Sequence, residues 1–338
     1  MILVGGRGME DRIADLLAQY DLTVYRAGRV KGAWMLETDR GLKCMSSCSY
    51  SEGKVRFEQK VKELAKSRGF AATDLYVMNR EQNFLVQGPY NEQFIMKDWF
   101  FGEECNAKCR EHVLLATETL AKLHNCMTGL ELSAEEKEFC RQPMATELLE
   151  KRNKELRRVR TYIRSKKQKN IFEQNFLSQF DVQFAQAEQA AELLDEKKYT
   201  EYYNNAVEEG HMLHGNFTHH SVLLLPKDEM AVTGFDKAMT GIRIQDFYSL
   251  FRKMMEKWEW DISLGESMLA AYNRIRPIPD EEKKLLYVLL LYPEKFWKVA
   301  NQYYNNRKSW IPEKNMQKLL QTMEQAEKKE QSIRMLFT

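Results

Sequence analysis

The chain has 338 residues, and its 51 lysines and arginines nearly balance 49 aspartates and glutamates, for a net charge of +2. That balance excludes a protein built chiefly to bind a polyanion. With 43% apolar and 30% charged residues the chain can bury a core and is too apolar to stay disordered. Because a single core stops growing at ~250 to 300 residues, two lobes are expected.

Nine of the 16 glycines precede residue 100, together with most of the alternating and aromatic runs, so the first hundred residues are expected to be sheet-rich. Ile13, Leu16, Leu17 and Tyr20 lie at helical spacing. Three short strands are predicted next, Leu22 to Gly28, Ala33 to Thr38 and Leu42 to Ser46, with turns at Gly28 to Gly32 and Asp39 to Gly41. Phe57, Val61 and Leu64 define a helical face that Gly69 ends. Strands at Leu75 to Met78, Phe84 to Gln87 and Gln93 to Lys97 complete the first lobe.

From about Asn106 the period is 3.6. Val113, Leu114, Thr117, Leu120, Ala121 and His124 line one helix, and Phe176, Phe180, Phe184, Ala187 and Ala191 line another. One stretch interrupts the helices, with strands at Met212-Leu213, Val222 to Leu225 and Met230 to Val232 and a turn at Pro226 to Glu229. Asp246 is the expected N-cap where helix resumes. The domain reading is 1–98 for the sheet-rich lobe and 99–338 for the helical lobe, with a loop-and-hairpin insertion at 211–246.

That insertion reads His214-Gly215-Asn216, then Ser221, a hairpin, and Gly234-Phe235-Asp236. It resembles the loop of aminoglycoside and choline kinase-type phosphotransferases, in which His-Gly-Asp, an Asn five positions beyond the Asp, and a later Asp cooperate. By that resemblance His214 frames the loop, Asn216 stands at the catalytic Asp position, Ser221 at the magnesium Asn, and Asp236 at the second metal ligand. Phosphoryl transfer wants a carboxylate to orient or deprotonate the acceptor and oxygen ligands for magnesium. An amide takes no proton at neutral pH, and losing general-base help costs ~10²- to 10⁴-fold in rate. In the first lobe, Lys43 resembles the lysine that pairs with nucleotide phosphates, Glu58 on the next helix is the residue to orient it, and Asp98 belongs to a nucleotide cleft near residues 97 to 105.

The likeness extends to Phe100-Phe-Gly-Glu103, Leu120-Ala-Lys-Leu-His124, Phe180-Asp181, Asp246, Leu291 to Trp297, Tyr303-Tyr304 and Arg307, which together resemble the CotS-type spore coat proteins of spore-forming bacteria. The resemblance implies an α+β, two-lobed protein-kinase-like fold and a coat-associated pseudokinase that acts through partner binding. The alternative is an active small-molecule hydroxyl phosphotransferase using ATP and magnesium, its base supplied by a neighbouring His. ATP is expected to bind weakly, with little or no help from magnesium. The partners implied are other spore coat proteins, and the implied location is the mother-cell cytoplasm and then the spore coat.

Other features have plainer readings. Val4 to Gly8 looks like a phosphate loop but has no room for the strand that must precede one. Lys151 to Lys169 holds ten Lys and Arg against Glu155 alone; its Leu156, Val159 and Ile163 stripe points to a packed helix with a solvated face rather than a nucleic-acid site. Cys44-x3-Cys48 and Cys105-x3-Cys109 are looser than zinc pairs and fit reduced thiols. His219 and His220 are read equally as substrate contacts or as solvent-exposed side chains. Tyr303, Tyr304 and Trp310 are expected to pack the terminal helices. The N-terminus lacks a secretory pattern, and the longest apolar run, Leu285 to Tyr292, is far short of the ~20 residues that span a bilayer, so a cytosolic protein with no membrane partner is expected.

Overall fold

The computed structural model describes residues 13–140, 144–305 and 313–337; Val4 to Gly8, Arg307 and Trp310 lie outside them. Packing divides the chain into two units, Met1–Arg141 with Gly210–Thr240, and Gln142–Glu209 with Gly241–Thr338. The hairpin insertion, up to Thr240, therefore packs with the sheet.

In the first unit, β1 (Val24–Val30), β2 (Ala33–Thr38), β3 (Gly41–Ser47), β4 (Tyr76–Val77), β5 (Leu85–Gln87) and β6 (Gln93–Asp98) form an antiparallel sheet of order β1-β2-β3-β6-β4, with β5 also beside β6. The expected turn at Gly28 to Gly32 is tighter than its glycines imply. Gly28 is a strand residue opposite Met35, and the chain reverses at Lys31 and Gly32 alone. Both have positive φ, +50° and +88°, which suits a two-residue turn between right-twisted strands.

Alternation gives the sheet two faces. One carries Leu36, Met45, Val86 and Met96 against Ile13, Leu16 and Tyr20 of a short helical segment, α1 (13–17), and its continuation. The other carries Ile95 and Tyr76 against Val55 of α2 (Glu52–Ser67) and Phe84. Ser51 caps α2 by accepting the Lys54 N–H at 3.3 Å. Gly69, at φ +95°, ends it: its N–H reaches Lys66 O at 3.0 Å and the Phe70 N–H reaches Ala65 O at 2.9 Å. Burying Val55, Phe57 and Val61 contributes about 1.5–3 kcal/mol each.

After β7 (Glu103–Glu104) come α3 (Arg110–Cys126) and α4 (Ala134–Phe139). The insertion adds β8 (Met212–Leu213), β9 (Val222–Leu224), β10 (Met230–Val232) and β11 (Met239–Thr240), in sheets of order β10-β9-β7 and β11-β8. The Val232 N–H bonds Ala72 O at 2.9 Å, which fixes the hairpin to the segment after α2.

The second unit is helical. The apolar stripe of α5 (Ala145–Ser165), Leu156, Val159 and Ile163, packs with Phe172, Phe176 and Phe180 of α6 (Ile171–Leu193). The basic run is thus a packed helix with a solvated face, part of whose charge is paired within the unit: Arg152 meets Glu294 at 2.6 Å, the exposed Arg157 meets Glu188 at 2.9 Å, and the half-buried Arg160 meets Asp181 at 2.7 Å. Tyr303 lies tilted against Phe172 with ring centroids 4.5 Å apart, and Tyr304 meets Tyr162 edge-on. After α7 (Glu196–Glu208), α8 (Ile244–Lys257) starts two residues before the expected Asp246, which lies buried in its first turn. A cap is worth only about 1 kcal/mol, and starting the helix earlier places Ile244 in the core. Helices at Ile262–Ile275, Asp280–Leu291, Glu294–Asn305, Glu313–Glu324 and Ala326–Phe337 complete the unit. Among the described residues no helix is long and apolar enough to cross a membrane.

Candidate functional site

The site is built inside the first unit. Gly215 has φ +75°, and a Cβ there would stand 1.9 Å from Lys237 O, so only glycine lets the His214-Gly215-Asn216 loop lie against the loop that carries Asp236. His214 is fully buried. Its Nδ1 accepts the Asn216 N–H at 3.3 Å, which leaves Nε2 to donate to Thr233 O at 3.0 Å. Its ring also packs on Phe217 and Phe235. His214 is thus a strut between the two loops, and Asn216 is held at the surface.

Ser221 is buried, and its hydroxyl is engaged both ways within one turn, donating to Thr218 O at 2.8 Å and accepting the Thr218 N–H at 2.9 Å. Asp236 is half-buried and accepts from the Tyr50 hydroxyl at 3.4 Å. One carboxylate and a hydroxyl closed on its own turn do not supply the oxygen set that magnesium prefers. Among the described residues no cluster of three His, Cys, Asp or Glu is placed to hold a metal, and the six cysteines are free.

The three residues expected on the nucleotide side are not gathered as the resemblance implies. Lys43 lies in a cross-strand row with Leu36 and Asp98, on the face that packs against α1. Its ammonium bonds Asp98 Oδ1 at 2.7 Å and the Arg40 carbonyl rather than Glu58. Lys43 and Asp98 are therefore together, and Glu58 is apart from them. Glu58, under the other face, accepts from the Tyr76 hydroxyl and stands 3.8 Å from Lys54. Burial pushes its carboxyl up, against the pull of Tyr76 and nearby lysines.

On that second face the β3 position is Cys44, and its direct partner on β6 is Lys97. Burial pushes the Cys44 thiol up. Lys97 reaches Asp74 Oδ2 at 3.3 Å, and the same oxygen accepts the Gly234 N–H at 3.2 Å. Lys62, one helical turn beyond Glu58, donates to Asp74 O at 2.7 Å, lies 3.4 Å from Asp74 Oδ1, and sits 3.4 Å above the Tyr76 ring. Burial works against every charge here. It lowers Lys62 to about 8 even with Asp74 beside it, whereas for Asp74 the two lysines and the Gly234 N–H outweigh it and hold the carboxyl below its ordinary value. For Lys97 the Asp74 carboxylate outweighs burial and raises the ammonium.

Sequence reasoning missed Cys44, Lys62, Asp74 and Lys97. Two signals were available. Lys43 shares strand parity with Met45, and Lys62 interrupts the apolar face of α2 one turn from Glu58, a place where an unpaired lysine is rare.

The comparisons with known proteins bear on the fold and the family. An aminoglycoside phosphotransferase from Alicyclobacillus acidocaldarius superposes with a TM-score of 0.84 at 20% identity, over 99% of this chain and 96% of that one. Spectinomycin phosphotransferase, solved with ADP and spectinomycin, superposes with a TM-score of 0.65 at 12% identity, over 96% of this chain and 98% of that one. These likenesses establish the kinase-like phosphotransferase fold. In sequence, spore coat protein S of Bacillus subtilis (strain 168) is 23% identical over 287 residues, 83% of this chain and 80% of that protein. The family described as "Spore coat putative kinase YutH" matches residues 13–336, and the chain belongs to that family of spore coat proteins.

Proposed function

We propose that this protein is a coat-associated pseudokinase: it has the phosphotransferase fold, performs no phosphoryl transfer, and acts in coat assembly by binding other coat proteins. The observation that carries this reading is the state of the loop. Asn216 offers an amide where a carboxylate would activate the acceptor, and the Ser221 hydroxyl is bonded at both ends to Thr218. Only Asp236 keeps the expected chemistry, so ATP binds weakly and gains little from magnesium. The coat protein relative supports the spore coat as the destination, reached in this reading from the mother-cell cytoplasm.

The second reading, an active hydroxyl phosphotransferase, draws on His219 and His220, whose rings lie 3.9 Å apart just before Ser221. Transfer of labelled phosphate from ATP to sugars, choline-like alcohols and protein separates the two. The pseudokinase shows none, and Asn216→Asp with Ser221→Asn gains slow ATP hydrolysis. Robust turnover by the wild-type protein, unchanged in Asn216→Ala, establishes the second reading instead.

A further inference from the structure

We infer that Lys97, and not Lys43, is the cation that meets the phosphates of a bound nucleotide: in this chain the phosphate-side ammonium has moved from β3 to the neighbouring strand β6. The inference rests on the weak nucleotide binding proposed above.

The argument starts from register. Lys43 and Asp98 oppose each other on one face of the sheet, and Cys44 and Lys97 oppose each other on the other. Directly opposed residues of antiparallel strands have Cβ atoms about 4.5–5.5 Å apart, within the span of a lysine stem. An ammonium carried by β6 can therefore cover ground in front of β3, where the sequence has only a neutral, buried thiol. Lys43 cannot do so without crossing the sheet.

Connection to the rest of the site follows the same division. The Lys97 ammonium and the Gly234 N–H share one oxygen, Asp74 Oδ2, so Lys97 is tied through a single atom to the loop that ends in Asp236. Lys43 is bonded to Asp98 and to its own hairpin. The charges also favour Lys97. Asp74 faces two ammonium groups, Lys62 and Lys97, and Glu58 is taken up by Tyr76 and Lys54. Lys62 is fully enclosed and bonded to the Asp74 carbonyl, whereas the Lys97 side chain keeps 19% of its surface open. Lys97 is thus the member of the pair that can exchange part of its bond to Asp74 for an incoming anion, while Lys62 continues to neutralise that carboxylate. A polyphosphate supplies such an anion, and a nucleoside alone does not.

The test is calorimetric titration of the full chain with ATP and, separately, with adenosine. Lys97→Met is expected to weaken ATP binding about tenfold to hundredfold, the loss of a charge-assisted bond, and to leave adenosine within about twofold. Lys97→Arg retains ATP binding, Lys43→Met leaves it within about twofold, and Cys44→Lys combined with Lys97→Cys recovers it by returning the ammonium to β3. Equal loss of ATP and adenosine in Lys97→Met overturns the inference, because the side chain then supports the pocket rather than the phosphates. So does loss of ATP binding in Lys43→Met, or a wild-type protein that takes up no ATP. None of these results involves turnover, so the pseudokinase reading would stand or fall separately, on the transfer assay.

Discussion

Each unit buries a network of charges, and the two are built on different terms. In the helical unit a deeply enclosed arginine is held by a two-point fork onto one carboxylate. Arg276 forks onto Glu282 with two contacts of 2.6 Å, whereas Glu294 is shared by Arg152 at 2.6 Å and Lys298 at 3.0 Å. Both members of the Arg276–Glu282 pair are almost completely enclosed. Such a pair is held away from solvent and fixes geometry. In the sheet-bearing unit two lysines share Asp74 at 3.3–3.4 Å, and that carboxylate also holds a backbone N–H of the Asp236 loop. In our reading the enclosed fork is structural, and the shared carboxylate tied to a loop is where a ligand takes part.

The largest effect should come from breaking the enclosed fork. Arg276→Met leaves the buried Glu282 without its fork and is expected to cost about 3–5 kcal/mol, read as a lower midpoint in urea unfolding. A loss under about 1 kcal/mol would show that the pair is not enclosed as described and would remove the contrast.

A smaller and pH-dependent effect belongs to Lys62. The folded protein releases this proton at about 8, and the unfolded chain holds it to the ordinary value of 10.5. Between those values the unfolded state binds more protons, so stability rises with pH through that window. Lys329, buried in the helical unit and also lowered to about 8, contributes a rise of the same sign. Lys62→Met should therefore remove one share of the alkaline gain, about 1–3 kcal/mol, and Lys329→Met the other. Unfolding curves at pH 7.5 and 10 for both variants measure it; a wild-type gain that persists undiminished in both would show that neither lysine is its source.

The smallest effect is assigned to Lys43→Met. Its partner Asp98 is 40% exposed, so solvent screens the pair and the expected cost is about 1 kcal/mol or less, visible as a small shift in thermal midpoint. A cost as large as that of Arg276→Met would mean that the α1 face of the sheet depends on this pair.

Much of this organisation was legible beforehand. The hairpin strands, the α2 face ending at Gly69 and the Phe176–Phe180 stripe were recognisable because strand and helix periods are local properties of neighbouring side chains. The His214-Gly215 frame was recognisable for a related reason: a loop that admits only glycine at one point keeps that glycine at a fixed distance from its neighbours in sequence. Asp246 was misread as a cap because capping is a small term that the burial of Ile244 overrides.

What the amino-acid order determined by itself is therefore the succession of elements and membership of a coat-protein family with a kinase-like fold. Tertiary structure alone decided which lysine faces α2. A strand exposes alternate residues to opposite faces, so a shift of one position exchanges Lys43 for Cys44, and nothing local to Leu42-Lys43-Cys44 says which face α2 will cover. The site around Lys97 draws on residues 62, 74, 97 and 234, and its bond from Gly234 to Asp74 spans 160 positions. Such a contact exists only once the sheet, α2 and the hairpin have packed, because its geometry is set by burial and by register across strands rather than by any spacing along the chain.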